Sequence, residues 1–499
     1  MHAKNSAGIV SLAFVLLLGL CHRSANAQED YEKWLEKQQQ AFQEFKEKRD
    51  KDFTEFLKKE WRNMQLREGL KRDENPKPVK MPQAEKLPPR DIDRPDLRII
   101  KDIPVPEVVP LPIPELEDNP VPLDLEKGQP ITVDYFGAAL TVHVDRGFSS
   151  PFVAHIENKA LSAHWKKLSA LNYEDLLTQV QFLREQMQLN DWGYGMLLNG
   201  VARGIHPTSQ NDRNLFLWFM LSKSGYEAKI GYQKNRIYLL LPSLNVLYGV
   251  RYFVIDGRKF HVLSFDNQNE KVKSLFTYDG RYPGAITSFD LEVKNVPKIK
   301  NAGTSKHLSF EYRGKTYALA VDYDDSAVKF FEYYPQTNLE VYFGAPVSSV
   351  AARSLLTGLK SIVEGKSETE AVNILLRFVQ TAFDYRTDGE QFGREKYLFA
   401  EETLFYPYSD CEDRSILFAY LVNRLLGLEV IGLDYPGHVA TAVHFTSRVE
   451  GDHLLYENKR FVICDPTYIN AAFGMTMPVV KHATPEVIAL SFRTARASK

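Results

Sequence analysis

The chain is predicted to be an α+β protein, and three observations predict that class. Segments such as ITVDYFG, RYFVIDGRKFHVL and HLSFEYRGKTYALAVDYD alternate apolar with polar residues and end in turn residues, as half-buried strands do. Residues 158–205, 348–364 and 368–383 instead space their apolar residues helically. At 499 residues, 44% hydrophobic and 12% aromatic, the chain is long and apolar enough for two or three cores of mixed elements. A formal net charge of −2 gives no basic field, so a nucleic-acid partner is not expected. GxGxxG and GxxxxGK[ST] are both absent, so neither phosphate cradle is present and no cofactor is expected.

Residues 1–27 read as a secretory signal peptide. His2 and Lys4 precede an apolar stretch from Ile9 to Leu20, and Ala25-Asn26-Ala27 offers small residues for cleavage. Twelve residues are short for the ~30 Å hydrocarbon layer, and no later stretch reaches 18 apolar residues, so no transmembrane anchor is expected. The reading implies an exported protein, periplasmic or at the cell surface. Cys21 invites lipidation, but Leu20 stands where a lipobox has a small residue.

Residues 28–75 form a charged amphipathic helix. Tyr31, Phe42, Phe53 and Met64 recur every eleven residues, and Trp34, Phe45 and Phe56 repeat the pattern three residues later. Eleven residues make three turns, so both rows share one helix face. Such a stripe packs on the protein's own body, on another copy, or on an envelope partner. Residues 76–122 hold 13 of the 26 prolines and read as an extended tether. Globular segments then follow: 123–300, a β-rich connector at 301–345, and 346–499.

The chemistry concentrates in three segments of the last region: SDCEDRSILFAYLVNRLLGLEV, YPGHVATAVHF and RFVICDPTY. The first reads as a helix starting near Cys411, the second as a strand opened by His438, the third as a buried strand ending at Asp465-Pro466. A helix N-terminus favours a thiolate, a histidine on the next strand can hold and relay its proton, and a carboxylate can orient the ring. The acids Asp410, Glu412 and Asp413 oppose the thiolate; Asp410 can cap the helix and Arg414 can offset the charge. Other uses of these residues are a Cys411–Cys464 disulfide, a zinc ion held by Cys411, His438, Asp465 and Cys464, or an inert core thiol. No CxxC or HExxH spacing favours metal. His444, on the same strand face as His438, is a second candidate base.

These three motifs resemble the transglutaminase-like superfamily of papain-like cysteine enzymes, over roughly residues 346–480. The resemblance rests on Cys411-Glu412-Asp413 leading an apolar helix, Gly427 closing it, His438 opening a strand, and Asp465-Pro466-Thr467. It implies a Cys411 nucleophile, a His438 base and an Asp465 orienting acid. It also implies an oxyanion hole from the Cys411 N–H, with Tyr406 or Tyr408 as a second donor. The sequence departs from the family at His438-Val439-Ala440, where an aromatic normally stands two residues after the histidine.

A shift of 201 residues lays the apolar run 416–422 on 215–221, Ile431-Gly432 on Ile230-Gly231, and Phe461 on Phe260. Cys411, His438 and Asp465 then fall on Gln210, Ile237 and Ser264. Residues 123–300 are therefore expected to hold a degenerate copy of the same α+β unit. The second copy has a longer loop before its helix, with Tyr385, Phe392, Tyr397, Phe399 and Phe405 as candidate substrate contacts. The expected function is an exported cysteine peptidase or amidase acting on a protein or peptide. The alternatives are a cross-linking acyltransferase and a non-catalytic envelope scaffold.

Overall fold

A computed structural model describes residues 7–72, 80–85, 98–101, 128–266, 272–299 and 303–490, with 7–30 and Glu32 as helical backbone only. The leader's cleavage site, Cys21 and most of the proline-rich segment lie outside the described side chains. The architecture is mixed α+β with several sheets. Among the described residues no helix is long and apolar enough to cross a membrane.

The chain opens with α1 (Ala7–Leu57), and its stripe divides into two parts. Phe53 and Leu57 are buried on the protein's own body, with Phe53 packed edge-on to Trp165 and Tyr282. Asp50 pairs with Lys223, which fixes the angle at which the helix leaves. Tyr31, Trp34, Phe42 and Phe45 stay exposed. After the helix, β1 (Arg62–Gln65) adds to the edge of the first large sheet.

Two successive units follow, built from the same parts in the same order. The first has a hairpin of β2 (Gln129–Tyr135) and β3 (Ala138–Val144). Next come α2 (Asn158–Ser169), α3 (Tyr173–Gln186), α4 (Asp191–Ile205) and α5 (Gln210–Lys223). Its strands are β4 (Lys229–Gln233), β5 (Arg236–Pro242), β6 (Tyr252–Ile255), β7 (Arg258–Leu263) and β8 (Ser274–Thr277). The helical stretch 158–205 is thus three helices. Asn172 and Asn190 stand at the breaks, and the Asn190 side chain caps α4 by accepting from the Gly193 N–H at 3.0 Å.

The second unit opens with the hairpin β9 (Thr304–Tyr312) and β10 (Lys315–Tyr323), which packs on its own helices. It continues through α6 (Asp325–Glu332), α7 (Leu339–Gly344), α8 (Ser349–Val363) and α9 (Glu368–Thr381). A long loop then carries β11 (Asp384–Tyr385), α10 (Asp388–Gln391), α11 (Ala400–Phe405) and β12 (Tyr408–Ser409). It leads to α12 (Cys411–Leu421), β13 (Glu429–Tyr435), β14 (His438–His444), β15 (His453–Tyr456), β16 (Lys459–Cys464) and β17 (Glu486–Ala489).

The strand orders match. Five strands run β8-β4-β5-β7-β6 in the first sheet and β17-β13-β14-β16-β15 in the second, all antiparallel. The 201-residue shift carries the start of α5 onto the start of α12, and β6 and β7 onto β15 and β16. One face of the second sheet packs on α12 through Val439, Val443, Val462 and Cys464. The other face buries Tyr435, Ala440, Ala442, Phe461 and Ile463.

Two described pieces of the proline-rich segment are docked. Residues 81–84 run extended beside Ile469: Ile469 donates to the Pro82 carbonyl (3.0 Å) and Ala84 donates to the Ile469 carbonyl (2.8 Å). Residues 98–100 bond to Lys366 and Glu368 at the start of α9. The described pieces of this segment are thus held against the body at two places.

Candidate active site

The helix of Cys411 is fixed first. Asp410 is its N-cap residue, and the Asp410 N–H donates to the Asp413 carboxylate at 3.2 Å. The other Asp413 oxygen accepts from the Leu398 N–H at 2.8 Å, which ties the long loop to the helix start. Arg414 is fully buried. It donates to the Ser409 hydroxyl (3.1 Å) and to the carbonyls of Gln380 (3.0 Å) and Phe383 (2.8 Å) at the end of α9. Burial lowers its pKa to about 10, opposed by Tyr385, Asp410, Asp413 and Cys411, so it is a cation at neutral pH. At the far end the helix passes into a π-helical turn and stops at Gly427, whose φ of 65° suits a residue without a Cβ.

The strand of His438 is fixed next. Pro436-Gly437 turns the chain between Tyr435 and His438, with Gly437 at φ 72°. The Ser415 hydroxyl, one turn past Cys411, donates to the Val439 carbonyl at 3.0 Å and pins α12 to β14 beside His438. Asp465 follows β16, which pairs with β14. One of its oxygens accepts from the N–H groups of Thr467 (2.9 Å) and Tyr468 (3.1 Å), and the other meets His438 Nε2 at 2.9 Å. Gln380 holds the turn from outside by donating to the carbonyls of Asp465, Tyr468 and Ala471.

Sulfur, imidazole and carboxylate are therefore neighbours. Burial opposes a charged His438 ring, but the Asp465 carboxylate and then Cys411 outweigh it and raise its pKa to about 10. His438 Nδ1 is buried without a hydrogen-bond partner, so it is the nitrogen left for the sulfur. No bond of ordinary geometry joins Nδ1 to Cys411 in this arrangement; the thiol instead lies 3.1 Å from Glu412 Oε2. The resting thiol proton thus points to a carboxylate, with a cationic ring close by.

The site is closed. Cys411 is 0%, His438 3% and Asp465 1% exposed. Cavities of about 450, 870 and 240 Å³ lie elsewhere, and none is lined by these three residues. The 81–84 strap borders the His438–Asp465 side: Met81 Sδ lies 2.8 Å from Arg414, and Ala84 is buried in the cluster holding Tyr435, Ala440 and Tyr468.

The remaining sequence expectations divide. Cys411 and Cys464 are both free, and Cys464 faces α12 while Asp465 turns to His438. His444 ends β14, about 20 Å along the strand from His438 at 3.3 Å per residue, and its Nδ1 contacts the Arg460 carbonyl. Of the loop aromatics, Tyr397 and Phe399 are core residues rather than surface contacts. Phe399 stacks on Phe331 at 4.1 Å, and Tyr397 packs against Tyr342. Among the described residues the side chains close enough to share an ion are Asp388, Asp410 and Glu412, a different set from the zinc ligands considered above. Gln380, Ser415 and Met81 were not foreseen. Each acts through bonds across the fold, which no local pattern marks.

No family model, no curated protein and no solved structure matches this chain.

Proposed function

We propose that the chain is an exported cysteine enzyme that cleaves amide bonds in a protein or peptide through Cys411, His438 and Asp465. The observation that carries this reading is the buried His438–Asp465 bond of 2.9 Å beside a cysteine at a helix N-terminus. Export rests on the N-terminal leader pattern, and the transglutaminase-like fold on the three motifs and the helix-and-sheet arrangement around them.

The residues suit a two-step acyl transfer. His438, already the cation, pairs through its Nδ1–H with the Cys411 sulfur once the thiol has given up its proton to water, and the thiolate adds to the carbonyl carbon. The C–N bond breaks as His438 gives its Nδ1 proton to the departing amine. Water then attacks the thioester, giving its proton to the now neutral His438, and the acid leaves with the thiolate–imidazolium pair restored. Asp465 holds the ring by Nε2 and stabilises its cation throughout. The Cys411 N–H, unpaired within the helix's first turn, is placed to donate to the oxyanion.

A scaffold role is the competing reading, and the full burial of Cys411 together with its bond to Glu412 favours it. Peptide vinyl sulfones of varied sequence, incubated with the folded protein and followed by mass spectrometry, separate the two. An enzyme yields a thioether at Cys411, the sulfur adding to the β-carbon and a proton to the α-carbon, with sequence preference. Absence of any Cys411 adduct from pH 5 to 9, under conditions where small haloacetamides do reach the thiol, sinks the enzyme reading.

A further inference from the structure

We propose that the chain forms a two-fold symmetric dimer in which the free halves of two α1 helices pair antiparallel, centred on Gln38.

Four large aromatics stand on the free part of α1. Tyr31 is 59%, Trp34 55%, Phe42 61% and Phe45 54% exposed. They continue the rows whose next repeat is Phe53, 2% exposed on the body, and Phe56, partly buried there. One stripe is therefore half satisfied and half uncovered. Single exposed apolar residues need no explanation, but a straight row of four on one helix face does.

The spacing selects the occupant. Tyr31 and Phe45 each lie seven residues from Gln38; Trp34 and Phe42 each lie four. Positions at ±4 and ±7 share the face of the central residue. The row reads the same in both directions, as an isologous interface requires, since residue i must meet j while j meets i. Antiparallel pairing sets Tyr31 of one copy on Phe45 of the other and Trp34 on Phe42. Gln38 meets Gln38 at the axis, where two amides can bond to each other.

Charge and space agree. From Tyr31 to Lys48 the helix carries four acids and four bases. The segment is neutral, so a second copy is not repelled, and no cationic excess draws it to an anionic lipid surface. The row spans about 21 Å at 1.5 Å per residue. Antiparallel pairing sends the two bodies to opposite ends of that rod, whereas parallel pairing crowds both beyond Asp50.

The test uses the full chain carrying Cys21→Ser, because Cys411 and Cys464 are buried. Gln38→Cys should give a disulfide-linked pair under mild oxidation. Tyr31→Cys alone should not, but Tyr31→Cys mixed with Phe45→Cys should. By sedimentation the unmodified chain should run at twice the chain mass, and the Phe42→Glu, Phe45→Glu variant at one. Its circular dichroism should not change, since both side chains are already exposed. The proposal is overturned by a monomeric unmodified chain, by a two-chain mass that survives the two glutamates, or by Tyr31→Cys linking to itself.

Discussion

The two units share a helix, a five-strand sheet order and an arginine that bonds the preceding helix end, yet differ where the helix meets the sheet. Arg213, three residues into α5, donates to the carbonyls of His206 and Pro207 (both 3.0 Å) at the end of α4. Arg414, three residues into α12, does the same for Gln380 and Phe383 at the end of α9. Both relieve carbonyls that a helix end leaves unpaired. The first helical residue behaves differently. Gln210 spends its amide on its own helix, accepting from Arg213 (2.6 Å) and donating to Asn214 (3.1 Å). Cys411 also bonds within its own helix, to Glu412 at 3.1 Å, but it lies beside His438 as well. The scaffold is thus common to both units, and the chemistry depends on three positions.

The comparison is broken most directly at those positions. His438→Ala should slow alkylation of Cys411 by haloacetamide at pH 7 by about 100-fold or more, the lower range for a general acid–base partner. Gln210→Cys in the first unit should alkylate no faster than a free thiol, because Ile237 offers no proton acceptor. Equal rates at the two cysteines would erase the distinction. The arginines come next. Arg414→Met leaves two buried carbonyls without a donor and should cost about 3 kcal/mol or more, read from urea unfolding. Arg213 is less deeply buried, so Arg213→Met should cost about 1 kcal/mol. A reversed order would mean that the two arginines do not play one role.

A smaller effect is expected at Glu412. Its carboxyl group accepts from the thiol S–H, and negative charge beside the sulfur disfavours the thiolate. Glu412→Gln should speed Cys411 alkylation by about tenfold, one pKa unit of relief. A slower reaction would make Glu412 a proton acceptor that assists rather than a brake.

The order Cys–His–Asp was legible because each member opens or closes an element and so lies beside a local signal: an N-cap, a Pro-Gly turn, an Asp-Pro turn. The repeat was legible because β6 and β7 keep their spacing from α5 without an insertion. The closure of the site was not. Nor was the neighbouring strap: Met81 and Ala84 reach residues 414 and 469, more than 300 positions away, and the proline pattern that suggests a free tether is equally compatible with a docked strap. The buried roles of Tyr397 and Phe399 were hidden for a similar reason. Aromatic residues in a long loop look the same whether they meet substrate or core, and only the neighbours Phe331 and Tyr342 decide.

The subtlest contrast between the units is their response to pH. In the second unit, burial of His438 is outweighed by Asp465, and its pKa rises from 6.5 to about 10. The folded state holds that proton more tightly than the unfolded chain. Its stabilisation is therefore complete below pH 6.5 and is lost as pH rises through about 10. In the first unit, burial dominates at His261, with only the Leu241 backbone opposing it, and the pKa falls to about 4. That stabilisation is complete above pH 6.5 and is lost as pH falls through about 4. Hydrogen exchange should therefore show β5 and β7 loosening first in acid and β14 and β16 loosening first in alkali. His438→Gln should remove the alkaline effect and leave the acid one. If both sheets lose protection at the same end of the pH range, the two histidines are not in the opposed settings that the Asp465 carboxylate creates.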